Sequence, residues 1–183
     1  MAGIDENRTF QPLRIAVLTV SDSRSLEDDR SGDLLAERLT AAGHELADRD
    51  IVKDDPDAIA GRFRAWIEDP MIEVVISTGG TGVTGRDVTP EALSKVVEKE
   101  IPGFGEMFRM ISYQKIGTSA LQSRATAGVA KGTYLFALPG STGACRDGWD
   151  EILQNQLDIR HRPCNFAELM PRLREHEAAR PPA

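Results

Sequence analysis

MIEVVISTGGTGVTGRDVTPE, residues 71–91, joins an apolar, β-branched run to three glycines within four positions. The run at 72–77 is too short for a helix, so it predicts a buried strand that ends in a loop. The glycines at 79, 80 and 82 allow backbone N–H groups to approach an anion such as a phosphate, and hydroxyls at 77, 78, 81 and 84 add donors. Thr89 and Pro90 predict the N-cap and first residue of a helix whose positive end faces this loop.

Asp87 is the only acidic residue between Ser77 and Pro90. A carboxylate beside a phosphate-binding loop repels the ligand unless a cation lies between them, so the pattern predicts a magnesium ion held by Asp87. The alternative is a tight glycine turn with Asp87 as a cap. The loop lacks the Gly-Lys-Ser/Thr ending of a P-loop and does not match Gly-x-Gly-x-x-Gly, which argues against a P-loop NTPase and against a standard dinucleotide fold.

Predicted strands near 13–20, 44–52, 71–77 and 133–138 alternate with helices along the chain. This order predicts an α/β fold: a single three-layer, doubly wound domain with a mostly parallel sheet. With the first strand between the second and third, Ser21 and Asp22 would lie beside the glycine loop at the carboxyl edge of the sheet, although an ordinary polar loop is the alternative. On the helix that begins near Pro102, the spacing of Phe104, Met107, Phe108 and Ile111 predicts an inward-facing stripe.

Three further features bear on ligand binding. Pro139, Gly140 and Ser141 follow the last predicted strand and form a second glycine-containing turn that could hold an anion. Arg124 offers a forked donor that suits a phosphate, although many single arginines are only surface residues. Asp54 follows the second strand, where a loop or cap role is the simpler interpretation.

Composition limits the possible functions. The 183 residues carry a formal net charge of −7, and the basic residues are scattered, which argues against a nucleic-acid-binding surface. No apolar run approaches the ~20 residues that span a bilayer and no leader opens the chain, so neither membrane insertion nor secretion is expected. Cys145 and Cys164 lie far apart, which favours reduced, packed thiols in a soluble, cytoplasmic protein without zinc.

Several motifs together resemble the molybdenum cofactor biosynthesis family of MoaB and MogA proteins. They are TGGTG at 78–82 with GRDVTPEA at 85–92, PGFGE at 102–106, LQSR at 121–124 and LPGS at 138–141. The likeness covers residues 13–166 and, through LQSRA and RPCNF at 162–166, is nearer to the MoaB branch. The resemblance implies a molybdopterin-binding domain at 12–170. The polar residues 1–11 predict a mobile N-terminus, and the charged, proline-rich residues 171–183 predict a loose tail.

The resemblance also implies an activity: binding of molybdopterin and, in active members, its adenylylation by Mg-ATP with release of pyrophosphate. A non-catalytic molybdopterin-binding module and an α/β interaction protein with purely structural glycine turns remain as alternatives, because Ser141 stands where the catalytic branch often has Asn or Gln. The implied assembly is a homotrimer or a dimer of trimers. Asp87 and Asp54 are the implied catalytic residues, and the implied substrate-binding residues are Ser21, Asp22, Thr78, Gly79, Gly80, Thr81, Gly82, Gly103, Glu106, Ser119, Ser123, Arg124, Pro139, Gly140 and Ser141.

Overall fold

The sheet is built around β2 (Arg14–Val20), an apolar run that is buried beyond its first residue. In the computed structural model, which describes residues 3–175, β2 pairs in parallel with β3 (Glu45–Val52) on one side and with β4 (Val74–Thr78) on the other. β4 in turn pairs in parallel with β7 (Thr133–Leu138). This order confirms the predicted α/β class and places the first long strand between the second and third.

Two strands that extend the sheet were not predicted from the sequence. β6 (Thr126–Ala130) runs antiparallel to β7, and β5 (Lys99–Glu100) runs antiparallel to β6. The turn between β6 and β7 consists of Lys131 and Gly132, both with positive φ. Lys-Gly is a weak hairpin signal compared with Asn-Gly or Asp-Gly, and the small residues of β6 carry little strand propensity, so local pattern did not identify this hairpin.

Helices cover both faces of the sheet and produce the three layers. Ile15 and Val17 of β2 belong to one core cluster, whereas Ala16 and Leu18 belong to the other, because successive strand residues face opposite sides. The helices are α1 (Arg30–Ala41), α2 (Pro56–Glu68), α3 (Thr89–Ser94), α4 (Pro102–Ile116), α5 (Thr142–Gly148) and α6 (Gln154–Gln156), with a π-helical turn at Trp149–Leu153 between the last two.

Two local predictions about these helices are wrong. Val88, not Thr89, occupies the cap position of α3, because the Thr89 hydroxyl donates instead to the carbonyl oxygen of Gly79 at 2.8 Å. On α4, Phe104 and Phe108 are buried, but Met107 is 47% exposed and does not belong to the inward face. The apolar stripe predicted from the spacing is wider than the surface of α4 that neighbouring elements bury.

The first described strand pairs with a short strand late in the chain. β1 (Gly3–Ile4) pairs with β8 (His161–Arg162), and α7 (Phe166–Leu169) leads into a 3-10 turn at Met170–Arg172. Residues 1–2 of the predicted mobile segment and residues 176–183 of the predicted tail lie outside the described residues. No helix within residues 3–175 is long and apolar enough to cross a membrane.

The two cysteines differ in their surroundings. Cys145 is buried, as predicted, and burial raises the pKa of its thiol to about 11. Cys164 is exposed, which corrects the prediction that both thiols are packed.

Candidate functional site

The glycine loop at 79–82 passes between the ends of two strands with very little space. A Cβ at Gly79, which has φ +104°, would lie 2.2 Å from the carbonyl oxygen of Val20. A Cβ at Gly80, which has φ +63°, would lie 2.5 Å from Oγ1 of Thr89. The N–H of Gly79 donates to the carbonyl oxygen of Leu138 at 3.0 Å, so the loop is fixed to the end of β7. Only glycine meets both the backbone angle and the space at these two positions.

Three donors of this loop have no protein partner. Within residues 3–175, the backbone N–H groups of Gly80 and Thr81 donate to no other protein group. The hydroxyl of Thr81 is also without a partner, although this residue is only 2% exposed. Buried polar groups are almost always hydrogen-bonded, so the unpaired hydroxyl of the buried Thr81, next to these two N–H groups, indicates a candidate ligand-binding position.

A cavity of about 210 Å³ opens next to Thr81 and Gly82. One wall is a face of α4, where Phe108, Ser112 and Ile116 follow one another at intervals of four residues. The other walls come from the 3-10 turn Gly117–Gln122 and the second glycine-containing turn, which contribute Ser119, Gln122, Ser123, Pro139, Ser141 and Ala144. An apolar floor with a hydroxyl-rich rim suits a flat heterocycle with polar edges.

Six predicted binding residues thus meet around one cavity: Thr81, Gly82, Ser119, Ser123, Pro139 and Ser141. Gly140 adjoins them, since its added Cβ would lie 3.2 Å from Cα of Gly79, and its carbonyl oxygen accepts from the Ser31 hydroxyl at 2.9 Å. The two glycine-containing turns therefore form one continuous surface at the carboxyl edge of the sheet.

The acidic residues lie at the same sheet edge, around the glycine loop. Burial raises the pKa of Asp54, and the negative charge of Asp22 raises it further. A Cβ on Gly80 would lie 3.2 Å from Oδ1 of Asp54, so this carboxylate sits against the loop. Ser21 is bound to the same edge through its N–H, which donates to the carbonyl oxygen of Val52. A carboxylate whose charged form is disfavoured gains from a nearby cation.

Asp87 lies within the loop that it was predicted to serve. Its Oδ2 accepts from the N–H of Thr84 at 2.8 Å and from the Thr84 hydroxyl at 2.7 Å. Burial works to raise the pKa of Asp87, but these bonds outweigh it and hold the pKa below its usual range. The backbone N–H of Gly82 also hydrogen-bonds to this carboxylate and lowers its pKa, so Asp87 is an ionised carboxylate held within the loop.

Two predicted binding side chains are committed to protein groups. The Thr78 hydroxyl is buried and donates to the carbonyl oxygen of Pro139 at 3.0 Å, which links the two turns. The Arg124 guanidinium donates to the carbonyl oxygens of Gly82 and Asp87, at 2.6 Å each, and pairs with Glu91. These contacts hold the backbone of the glycine loop and of the second turn in place.

Gly103 and Glu106 are not brought to the cavity. Both are exposed near the start of α4, and neither is among the residues that line it. Conversely, the sequence analysis gave no binding role to the α4 face of Phe108, Ser112 and Ile116, nor to Arg86. The four-residue spacing of the α4 set was the available signal, but only Phe108 was considered, and it was assigned to the inward-facing stripe.

Comparisons with known proteins identify the family of the chain. A family model described as a probable molybdopterin binding domain matches residues 16–159. Molybdenum cofactor biosynthesis protein B of Escherichia coli (strain K12) is 54% identical over 157 residues, which cover 86% of this chain and 92% of that protein. The chain belongs to the molybdenum cofactor biosynthesis protein B family.

Solved structures of the family share the fold. A crystal structure of molybdenum cofactor biosynthesis protein B is 39% identical, has a TM-score of 0.83 and is matched over 92% of this chain and 99% of its own. A tungsten cofactor synthesizing protein MoaB from Pyrococcus furiosus is 35% identical, with a TM-score of 0.70 and coverage of 79% and 92%. The matched range 16–159 contains the cavity, both turns and all three acidic residues of the edge.

Proposed function

We propose that this family member binds molybdopterin in the cavity beside the glycine loop and transfers an adenylyl group to it from Mg-ATP. The observation that carries the proposal is the set of unused donors on Gly80 and Thr81 at the edge of the cavity. These groups suit a phosphate, and the adjoining apolar wall of α4 suits a pterin ring.

In the proposed reaction, an oxygen of the terminal phosphate of molybdopterin attacks the α-phosphorus of ATP. The bond from that phosphorus to the bridging oxygen breaks, and pyrophosphate leaves with the bonding electrons. The glycine loop and the turn at 139–141 would hold the two anions in line, which lowers the barrier without a covalent nucleophile. Cys145 is unsuited to that role because burial keeps its thiol protonated, with a pKa of about 11.

The donor set fits a magnesium ion. Magnesium is commonly held by one or two carboxylates together with substrate phosphates, and its charge would offset the repulsion between the two anions. Asp54 supplies a carboxylate whose charged form is disfavoured by burial, and Asp87 supplies an ionised carboxylate that Thr84 holds in the loop. Their titrations are coupled, since the charge of Asp87 contributes to the raised pKa of Asp54.

A second candidate function is molybdopterin binding without catalysis. Within residues 3–175, no group of three or more His, Cys, Asp or Glu side chains is arranged to hold a metal ion. In addition, the Asp87 carboxylate already serves the loop through Thr84. The Thr84 contacts favour a binding module in which Asp87 shapes the loop. The absence of a three-residue group does not bear on a magnesium ion held by one or two carboxylates.

The proposal extends to assembly as a homotrimer or a dimer of trimers. Five apolar side chains on α4 and the following 3-10 turn are more than 40% exposed: Met107, Met110, Tyr113, Ile116 and Leu121. Large exposed apolar patches commonly mark interfaces. A symmetric oligomer would cover this face beside the cavity.

The decisive experiment incubates the purified protein with molybdopterin and Mg-ATP and follows bound pterin, adenylylated pterin and pyrophosphate. Formation of the adenylylated product supports the first function. Stoichiometric pterin binding with no product supports the second. Absence of pterin binding would overturn both.

A further inference from the structure

Arg86 makes a two-point contact with Asp22 across the glycine loop. Nη2 of Arg86 lies 2.7 Å from each carboxylate oxygen of Asp22, and Nε lies 3.0 Å from Oδ2. Arg86 belongs to the loop after β4, and Asp22 belongs to the loop after β2. They are 64 positions apart in the chain, so the local sequence around either residue did not predict the pair.

The Asp22 carboxylate also contacts a third loop. Its Oδ1 accepts from the N–H of Asp54, after β3, at 3.2 Å. Asp22, Asp54 and Asp87 thus bring three carboxylates to the edge where the glycine loop offers its free donors. Among residues 3–175, Arg86 is the cation that forms an ion pair with one of them. The charge of Arg124 acts on Asp87, and that of the exposed Lys53 acts on Asp22.

Stability does not account for this pair. The side chains of Arg86 and Asp22 are 66% and 45% exposed, and exposed ion pairs contribute little to folding. What the pair does change is the local charge. Without Arg86, the carboxylate of Asp22 would lose its directly paired cation and, next to two other acids, would repel an incoming anion.

We propose that Arg86 is a positioning residue that cancels the charge of Asp22, so that the glycine loop can accept the phosphate of its ligand. The inference rests on the proposed function, because it concerns the phosphate end of molybdopterin. Arg86 acts through Asp22 and does not itself contact the ligand.

The test compares the full chain as wild type, Arg86→Gln, Asp22→Asn and the double variant. Molybdopterin affinity is measured by fluorescence titration at low and high salt. Arg86→Gln should weaken binding roughly tenfold at low salt, because it exposes the Asp22 charge. The double variant should recover most of that loss, since the charge that repels the ligand is also gone. High salt should shrink the Arg86→Gln defect because it screens exposed charges.

Arg64→Gln is the matched control, since it removes the same charge from an exposed position on α2. It should bind like the wild type, and thermal unfolding should show all variants folded. A double variant as weak as Arg86→Gln would overturn the inference, because Arg86 would then contact the ligand directly. Unchanged affinity in Arg86→Gln would also overturn it. Failure of the wild type to bind would instead overturn the proposed function on which the inference rests.

Discussion

The Asp87 carboxylate is bound to Thr84 by two hydrogen bonds: its Oδ2 accepts one from the backbone N–H and one from the hydroxyl of Thr84. The backbone N–H of Gly82 is a further donor to the same carboxylate. Asp87 therefore combines two tasks that a sequence motif does not separate, shaping the loop and offering a negative charge.

Asp87→Asn should separate those tasks. The amide oxygen can still accept from Thr84, so the loop should keep its shape, but the charge is lost. If Asp87 supports adenylyl transfer, turnover should fall about a hundredfold or more, on the order of 3 kcal/mol, while pterin affinity is held or improved. Pyrophosphate release and pterin titration measure the two effects. Glu37→Gln, an exposed change on α1, is the control, and a mutant rate equal to the wild-type rate would remove Asp87 from the mechanism.

Gly80→Ala should weaken pterin binding and destabilise the fold. The added Cβ would meet Oγ1 of Thr89 at 2.5 Å, at a positive φ that alanine adopts with a strain of roughly 1–3 kcal/mol. Gly85→Ala in the same loop is the matched control, because nothing lies within 4 Å of its added Cβ. Titration and thermal unfolding should both distinguish the two variants. Equal behaviour would mean that the loop tolerates a side chain at Gly80.

Asp54→Asn should raise thermal stability at neutral pH and lower activity. The folded pKa of Asp54 lies above its unfolded value of 3.8, because burial and Asp22 disfavour the charged form. Its stabilising protonated form is thus present at low pH and lost as pH rises through the folded pKa, so the ionised group destabilises the native state at neutral pH. The gain in melting temperature should disappear below about pH 4. A melting temperature lowered at neutral pH would contradict this account.

Arg124→Lys should loosen the segment from 82 to 87. A lysine keeps the charge but lacks the fork that reaches the carbonyl oxygens of Gly82 and Asp87 together. Faster amide hydrogen exchange in that segment and a stability loss of about 1–3 kcal/mol are expected. Arg146→Lys, an exposed position, is the control. If exchange stays slow while phosphate affinity falls, Arg124 contacts the ligand and does not act as a clamp.

The protein should sediment as a trimer or hexamer, and Met110→Glu should dissociate it. Met110 is 57% exposed on the apolar face of α4, so a charge there would be buried at an interface. Met71→Glu is matched in exposure, also at 57%, but lies just before β4 on another part of the surface. Sedimentation across a range of concentrations measures the effect. A wild-type monomer at every concentration would overturn the proposed assembly.

The sequence by itself determined the order of the main strands and the nature of the loop between β4 and α3. The apolar runs at 13–20, 71–77 and 133–138 and the half-buried strand at 44–52 are long enough for pattern to identify them, and the chirality of parallel crossovers leaves few ways to arrange them. The glycines at 79 and 80 could be recognised from sequence, because only glycine tolerates the positive φ and the close neighbouring atoms at these positions. Local chemistry fixes features of this kind.

Tertiary structure alone decided which polar groups meet. Arg86 pairs with Asp22, which lies 64 positions away in the chain. Arg124 donates to the carbonyl oxygens of Gly82 and Asp87 because the antiparallel pairing of β6 with β7 places it next to the loop. Likewise, the hydroxyl of Thr89 does not cap α3 but donates to the carbonyl oxygen of Gly79. A side chain with several possible partners takes the one that the packed backbone brings within about 3 Å, and that proximity is set by the whole fold.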